Sequence, residues 1–168
     1  MRPGVALRPV APGDLPAIDR WARAMDEWMS RTRPHDAAAE RHDPGGGLFW
    51  YVIACDGADA GTVWIELAAD GSEAVLGVFL AGPEWFGRGV GTAAVELAVA
   101  DFRRAHPTVA VALHVRRGNA RAVACYRRAG FVIEGEGVKS PPTGEAHPFY
   151  RMVLAGRPKA GGRILGLQ

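Results

Sequence analysis

The 168-residue chain has only two cysteines, Cys55 and Cys125. Two thiols so far apart give neither a disulfide framework nor the clustered spacing of a metal site, and a reducing compartment suits them best. The longest apolar runs, such as Ala74–Ala81, fall far short of the roughly 20 residues that span a bilayer. The opening residues, Met-Arg-Pro-Gly-Val-Ala-Leu-Arg-Pro, lack the apolar core of a secretory leader. The expectation is a cytoplasmic protein with no membrane partner and no metal. Aromatic residues are few, at 8%, and no internal repeat is visible. What is present is ordinary: 48% hydrophobic and 23% charged residues exclude a disordered chain, and the length suits one domain.

Lysine is also scarce, since 18 of the 20 basic residues are arginine. The net charge of +2 conceals a division. Met1–Phe86 holds 7 basic and 13 acidic residues, a net of −6, and Gly87–Gln168 holds 13 basic and 5 acidic residues, a net of +8. Such asymmetry points to different partners for the two halves. Nucleic acid is not one of them, because few aromatics accompany the basic residues.

Periodicity divides the chain into elements. Val5–Pro9 reads as a short strand. Asp14 is placed to cap a helix whose apolar residues Leu15, Ile18, Trp21, Ala22 and Met25 recur at helical spacing. His35–His42 is a second, Ala-rich helical candidate. Leu48–Cys55, Gly61–Ala68 and Glu73–Ala81 form an antiparallel meander, joined at Asp56-Gly57 and Asp70-Gly71. A helix over Val90–Ala105 should bury Val90, Ala94, Leu97, Ala98 and Phe102. A strand at Val109–Val115, a helix from Asn119 to about Ala129 and strands at Phe131–Glu134 and Phe149–Leu154 complete the order, with a loop over Gly135–His147. Gly130 stands where a helix wants a left-handed residue after its end. Residues 1–156 make one domain of mixed α/β (α+β) class, with about seven strands and about four helices, and residues 157–168 read as a flexible tail.

Two segments carry chemistry. In Phe86-Gly-Arg-Gly-Val-Gly-Thr92, directly after a strand, three glycines let the backbone approach a ligand closely. The unpaired N–H groups and dipole of the helix that follows favour an anion, and Arg88 adds a cation. The spacing is not the G-x-G-x-x-G of a dinucleotide fold, nor is there the Gly-Lys-Ser/Thr of a P-loop; alone, the segment reads equally as a Gly-rich turn. In Asn119–Phe131, the residues Asn119, Ala122, Val123 and Tyr126 share one helical face. Tyr126 there is either a core residue beside a capping Asn or a proton donor to a leaving group.

Together these segments resemble the GNAT superfamily of acyl-CoA-dependent N-acyltransferases, and the resemblance covers nearly the whole chain. Leu80-Ala-Gly-Pro-Glu-Trp-Phe-Gly-Arg-Gly-Val-Gly-Thr92 is similar to the family's pyrophosphate loop, and Asn-x-x-Ala-x-x-x-Tyr-x-x-x-Gly-Phe to its second motif. Among members, the pattern resembles the aminoglycoside 6′-N-acetyltransferases and the ribosomal-protein acetyltransferases. Two positions depart from the pattern. Phe86 stands where the family commonly has Arg or Gln, and Gly77 stands near where the aminoglycoside enzymes carry a carboxylate.

The resemblance implies a single GNAT domain with a splayed central strand pair, and acetyl-CoA as cosubstrate. Phe79, Leu80 and Ala81 would present backbone groups to the pantetheine arm. Phe86, Gly87, Arg88, Gly89, Val90, Gly91 and Thr92 would cradle the pyrophosphate, with Asn119 and Ala122 near the pantetheine. Arg128, Arg127 or Arg121 would meet the adenosine phosphates, and Tyr126 would protonate the departing thiolate. The acceptor is a small-molecule amine whose ammonium must lose a proton. Glu66 is the first candidate base, then Glu73, then His114. Trp28 and Trp64, with Glu66 and Glu73, are expected to line the acceptor cleft. The acidic first half points to a cationic acceptor. A protein N-terminus or lysine is the alternative acceptor, a non-catalytic acyl-CoA-binding module the alternative class, and a homodimer is compatible with the resemblance.

Overall fold

Alternating apolar residues and two-residue turns build the first half of the sheet. The computed structural model describes residues 3–25, 34, 39–139 and 144–156. Trp28, the 157–168 tail and residues 35–38 of the His35–His42 helical candidate lie outside those residues, and the described part of that candidate, residues 39–42, is not helical. Strand β1 (Val5–Pro9) is followed by helix α1 (Leu15–Ala24), then by the meander β2 (Leu48–Cys55), β3 (Ala58–Leu67) and β4 (Glu73–Leu80). Helix α2 (Val90–Ala105), strand β5 (Ala110–Arg116), helix α3 (Ala120–Arg128) and strands β6 (Phe131–Lys139) and β7 (His147–Leu154) complete the fold. The β2–β3 turn uses Asp56 at φ 51° and Gly57 at φ 83°, the two left-handed residues that suit a tight hairpin.

The seven strands form one sheet in the order β1-β2-β3-β4-β5-β7-β6. Every neighbouring pair is antiparallel except β4–β5, which is parallel. Successive strand residues face opposite sides, so the sheet carries two cores. Phe49, Tyr51, Ile53, Val63, Ile65, Leu76 and Leu113 pack with α2 and α3. Leu48, Trp50, Val52, Trp64 and Phe79 pack with Ile18 and Ala22 of α1 on the other face. Thr62 is the one fully buried polar residue among those described. Its hydroxyl accepts from Trp50 Nε1 at 2.9 Å and donates to the Tyr51 carbonyl at 2.8 Å, so it is satisfied on both sides.

The β4–β5 pairing positions the site. It consists of three residue pairs, Glu73–Ala110, Ala74–Val111 and Val75–Ala112, and stops there. From Leu76 onward β4 stays paired with β3, while β5 stays paired with β7 from Ala112 to Arg116. The centre of the sheet therefore opens as a wedge. At its closed end Arg151 of β7 grips Glu73 through two hydrogen bonds, at 2.9 and 2.6 Å, and Glu134 of β6 at 3.0 Å. This ties β4 to the far side of the sheet.

The structure departs from the sequence reading at several further points. Three α-helices are present among the described residues, not about four. The second core-facing residue pair of α2 is Val95 and Val99, whereas Leu97 is 42% exposed. Adjacent helix residues stand about 100° apart, and Leu97 points away from the Ala98 stripe. Strand β6 runs to Lys139, through part of the expected loop. Gly135 sits at a register shift and Gly137 lies beneath Phe149, where a Cβ would come within 2.9 Å of the ring. Those glycines serve close approach rather than a turn. Asp14 stands at the cap of α1, yet its carboxylate accepts from Ala11 N–H at 2.8 Å and Arg8 at 3.0 Å rather than from the helix.

Gly77 pairs with Trp64 across β3–β4, and a Cβ at position 77 would overlap the indole. Gly77→Ala is therefore expected to lower the unfolding free energy by about 1–3 kcal/mol. The loss should appear as a lower urea midpoint at unchanged m-value. A wild-type midpoint would mean that Trp64 yields without cost.

Candidate active site

The wedge opens into a cavity that starts at Met25, passes Val78, Phe79 and Leu80 on the unpaired part of β4, and ends between the N-terminal parts of α2 and α3. Beyond Val75 no β5 residue pairs with β4, so this stretch of β4 offers an open backbone edge to an extended ligand. Ala81 does not join it: its N–H is spent on the Ala60 carbonyl at 2.7 Å, on the β3 side.

The far end of the cavity is lined by Phe86, Gly87, Gly89, Val90, Gly91 and Thr92. Gly87 and Gly89 have φ of 71° and 77°, values that favour glycine. The first bond of the α2 ladder runs from Ala93 N–H to Gly89 carbonyl. The N–H groups of Val90, Gly91 and Thr92 precede it and are left to an outside acceptor. With the helix dipole they form a cradle for a phosphate-type anion. A Cβ at Gly91 would come within 3.3 Å of Cys125 Sγ, so glycine there also lets α3 close onto α2.

Two cations flank the cradle. Arg121 stacks on Phe86, with its guanidinium carbon 3.6 Å from the ring centroid, and Arg128 lines both this cavity and the groove beside it. Neither has a carboxylate partner among the described residues. The third arginine, Arg88, lies outside the main cavity. It lines the adjoining groove with Thr92, Glu96 and Arg128, 3.7 Å from Asp56 and 4.9 Å over the Trp85 ring.

Helix α3 supplies the remaining wall. Asn119 caps it, its side chain accepting from Ala122 N–H at 3.2 Å. Ala122, Cys125 and Tyr126 face the cavity. Cys125 Sγ accepts from the Thr92 hydroxyl at 3.4 Å, and burial raises its thiol above the ordinary value. Tyr126 is buried in the α2–α3 core, edge-on to Phe131. Burial first, then the neighbouring Cys125, raises its phenol well above the usual range. The phenol therefore stays protonated at neutral pH.

The acceptor-side candidates are not gathered into one cluster. Trp64 is fully buried over Gly77 and edge-on to Phe79. Its Nε1 has no hydrogen-bond partner among the described residues. Glu66 is half-buried on β3, opposite Leu48 and Val75. Glu73 is engaged by Arg151 at the closed end of the wedge. Sequence reasoning missed Met25, Trp85 and Cys125 as wall residues. Met25 was legible as the last residue of the α1 stripe, but nothing local told that the stripe ends at a cavity. Among the described residues no three His, Cys, Asp or Glu side chains are grouped to hold a metal, and no helix is long and apolar enough to cross a membrane.

Fold and site together define a group-transfer enzyme that grips an extended, phosphate-bearing donor by its own backbone. The Acetyltransferase (GNAT) family pattern matches residues 15–131, and the chain belongs to that family. Spermidine N(1)-acetyltransferase of Escherichia coli (strain K12) is 31% identical over 144 residues, which span 79% of this chain and 75% of that enzyme. The structure of spermidine N-acetyltransferase from Vibrio cholerae in complex with CoA and spermine is similar at TM-score 0.70 and 21% identity, covering 89% of this chain and 94% of that one. Aminoglycoside acetyltransferase AAC(6')-Ib in complex with coenzyme A and kanamycin is similar at TM-score 0.64 and 21% identity, with coverage of 89% and 94%.

Burial also raises the phenol of Tyr51, which donates to Asp101. The chain has three tyrosines. In an absorbance titration of the folded protein, Tyr51 and Tyr126 should stay protonated at about pH 11, an ordinary tyrosine being half ionised near 10. At most one phenolate per chain is expected until the protein unfolds. Two or three phenolates in the folded state would show that burial does not raise the phenols of Tyr51 and Tyr126.

Proposed function

We propose that the chain transfers the acetyl group of acetyl-CoA to a primary amine of a cationic small molecule, by direct attack in a ternary complex. The observation that carries this reading is the wedge itself, with an amide cradle at one end and a protonated Tyr126 in its wall. Acetyl-CoA supplies an activated thioester. The N–H groups of Gly87–Thr92 hold its pyrophosphate, and Arg121 and Arg128 neutralise the phosphates. The open edge of β4 from Val78 to Leu80 aligns the pantetheine arm and polarises the thioester carbonyl. Tyr126 gives its proton to the departing thiolate. Phe86, where relatives commonly carry Arg or Gln, does not undo the cradle, because the cradle is made of backbone.

A cationic acceptor is supported from two directions. The first half of the chain, which supplies Met25, Trp64, Glu66 and Phe79, carries a net −6 from its 7 basic and 13 acidic residues. The E. coli relative is a spermidine acetyltransferase, and the two solved neighbours hold spermine and kanamycin. A reducing cytoplasm fits the two free thiols, Cys55 and Cys125.

The test is thiol release from acetyl-CoA over a panel of amines. Polyamines and aminoglycosides should outperform acidic amines such as glutamate. Tyr126→Phe should bind acetyl-CoA within about twofold of wild type and lose roughly a hundredfold in kcat. A Tyr126→Phe variant with normal turnover would refute the general-acid role. Binding of acetyl-CoA without release to any amine would leave a non-catalytic acyl-CoA-binding module.

A further inference from the structure

We infer that His114 takes the proton from the acceptor ammonium, a role that rests on the acetyl transfer proposed above. Strand parity places the imidazole. On β5, Val111, Leu113 and Val115 point into the core beneath α2 and α3. Successive strand residues alternate, so Ala112, His114 and Arg116 point to the opposite face, the side of α1. Tyr126 belongs to the α2–α3 side. A thioester lying in the wedge thus has the phenol on one side of the sheet and the imidazole on the other. That arrangement lets the amine enter from one side and the thiolate leave toward the other.

Position along the strand singles out His114. The last β4–β5 pair is Val75–Ala112. His114 is the next residue of its face on β5, about 6.6 Å further along. It stands where the strands have just parted, level with Gly77 on β4. On β4 the cavity lining begins one residue later, at Val78. The two glutamates sit lower. Glu73 pairs with Ala110 and is held by both nitrogens of Arg151. Glu66 lies opposite Val75, one strand back from the wedge, at a level where β4 and β5 are still joined. A carboxylate gripped by an arginine is a poor base, whereas an imidazole titrates near neutrality and suits proton removal at pH 7.

The surroundings fix the ring and define its charges. Phe149 of β7 meets His114 nearly perpendicular, with centroids 5.2 Å apart. Phe149 is itself packed on Gly137 of β6, with Lys139 Nζ 5.1 Å from its centroid. Directly opposite His114 on β7 is Arg151, whose charge is balanced by Glu73 of β4 and Glu134 of β6. Arg116 follows on the same strand face, and Glu66 is the acidic group from β3.

The step balances as follows. An imidazole nitrogen takes a proton from the ammonium, and the freed nitrogen lone pair forms the C–N bond at the thioester carbon. The C–S bond breaks, its electron pair goes to sulfur, and sulfur takes the Tyr126 proton. The attacking nitrogen, which after C–N bond formation still carries two hydrogens and a positive charge, loses its second proton to solvent. The imidazolium likewise releases its proton and Tyr126 regains one, so the net products are the amide, the thiol and one proton.

The test compares wild type, His114→Gln and Glu66→Gln, with kcat/KM followed from about pH 5.5 to 9. The acceptors are spermidine and trifluoroethylamine, whose weakly basic amine is largely uncharged at neutral pH. His114→Gln should lose roughly a hundredfold in kcat with spermidine at pH 7, flatten the acid limb and keep its KM for acetyl-CoA. With trifluoroethylamine the loss should shrink to a few-fold, because that amine needs little deprotonation. Glu66→Gln should keep the acid limb in place. An unchanged limb in His114→Gln, equal losses with both amines, or a limb erased by Glu66→Gln each overturn the assignment. His114→Asn, a smaller amide, replaces the Gln variant if that one melts early. A wild type that binds acetyl-CoA but acetylates neither amine defeats the parent reading. A wild type active on both with an unaffected His114→Gln defeats this inference alone.

Discussion

Three residue pairs hold β4 to β5, and where that short ladder stops decides the rest. An open strand edge is costly when buried, since each unpaired N–H and carbonyl forfeits a hydrogen bond. The chain accepts that cost along Leu76–Leu80 on one side of the wedge, while β3 and β7 keep the outer edges of β4 and β5 paired. The Glu73–Arg151–Glu134 bridge then clamps the closed end, so the sheet does not separate further. The wedge is thus an opening between two paired halves of the sheet, and its free strand edge is the part best matched to an amide-bearing ligand.

The same economy governs the anion cradle. Its donors are N–H groups that a helix start cannot use internally, aimed by two left-handed glycines. No side chain is indispensable to it, so Phe86 can replace a polar residue. The replacement also does something: its ring carries the Arg121 guanidinium at 3.6 Å. The cation that is absent from position 86 stands instead on α3, above the same loop.

Much of this was legible in the sequence, and unevenly. The α2 boundaries, the β2 boundaries and the Asp56-Gly57 hairpin follow from local rules, because turn chemistry and apolar period agree there. Gly130 at φ 96° closes α3 as expected. Leu97, Gly135 and Gly137 were misleading, since their roles are set by neighbours distant in sequence: the Ala98 stripe for the first, a register shift and Phe149 for the glycines. In the site, motif residues clustered because they are close in sequence around two helix starts. Glu73 did not read as an ion-pair partner, because Arg151 lies 78 residues away. Arg88 looked like part of the cradle, and only the folded loop turns it toward Asp56.

Long-range pairing also changes what the charge division means. Arg88–Asp56 and Arg151–Glu73 each join a cation of the basic half to an anion of the acidic half. Those four charges cancel locally and contribute little field at a distance. Beside the amide cradle, Arg121 and Arg128 have no carboxylate partner among the described residues, so their charge faces the cavity. On the opposite face, Trp64 occupies the space that a side chain at position 77 would need. A carboxylate cannot stand at position 77 while that indole is in place, so negative potential for an ammonium comes from other residues of the acidic first half, Glu66 on β3 among them. The packing of one tryptophan on one glycine therefore separates the charge that draws the acceptor from the point where its proton leaves.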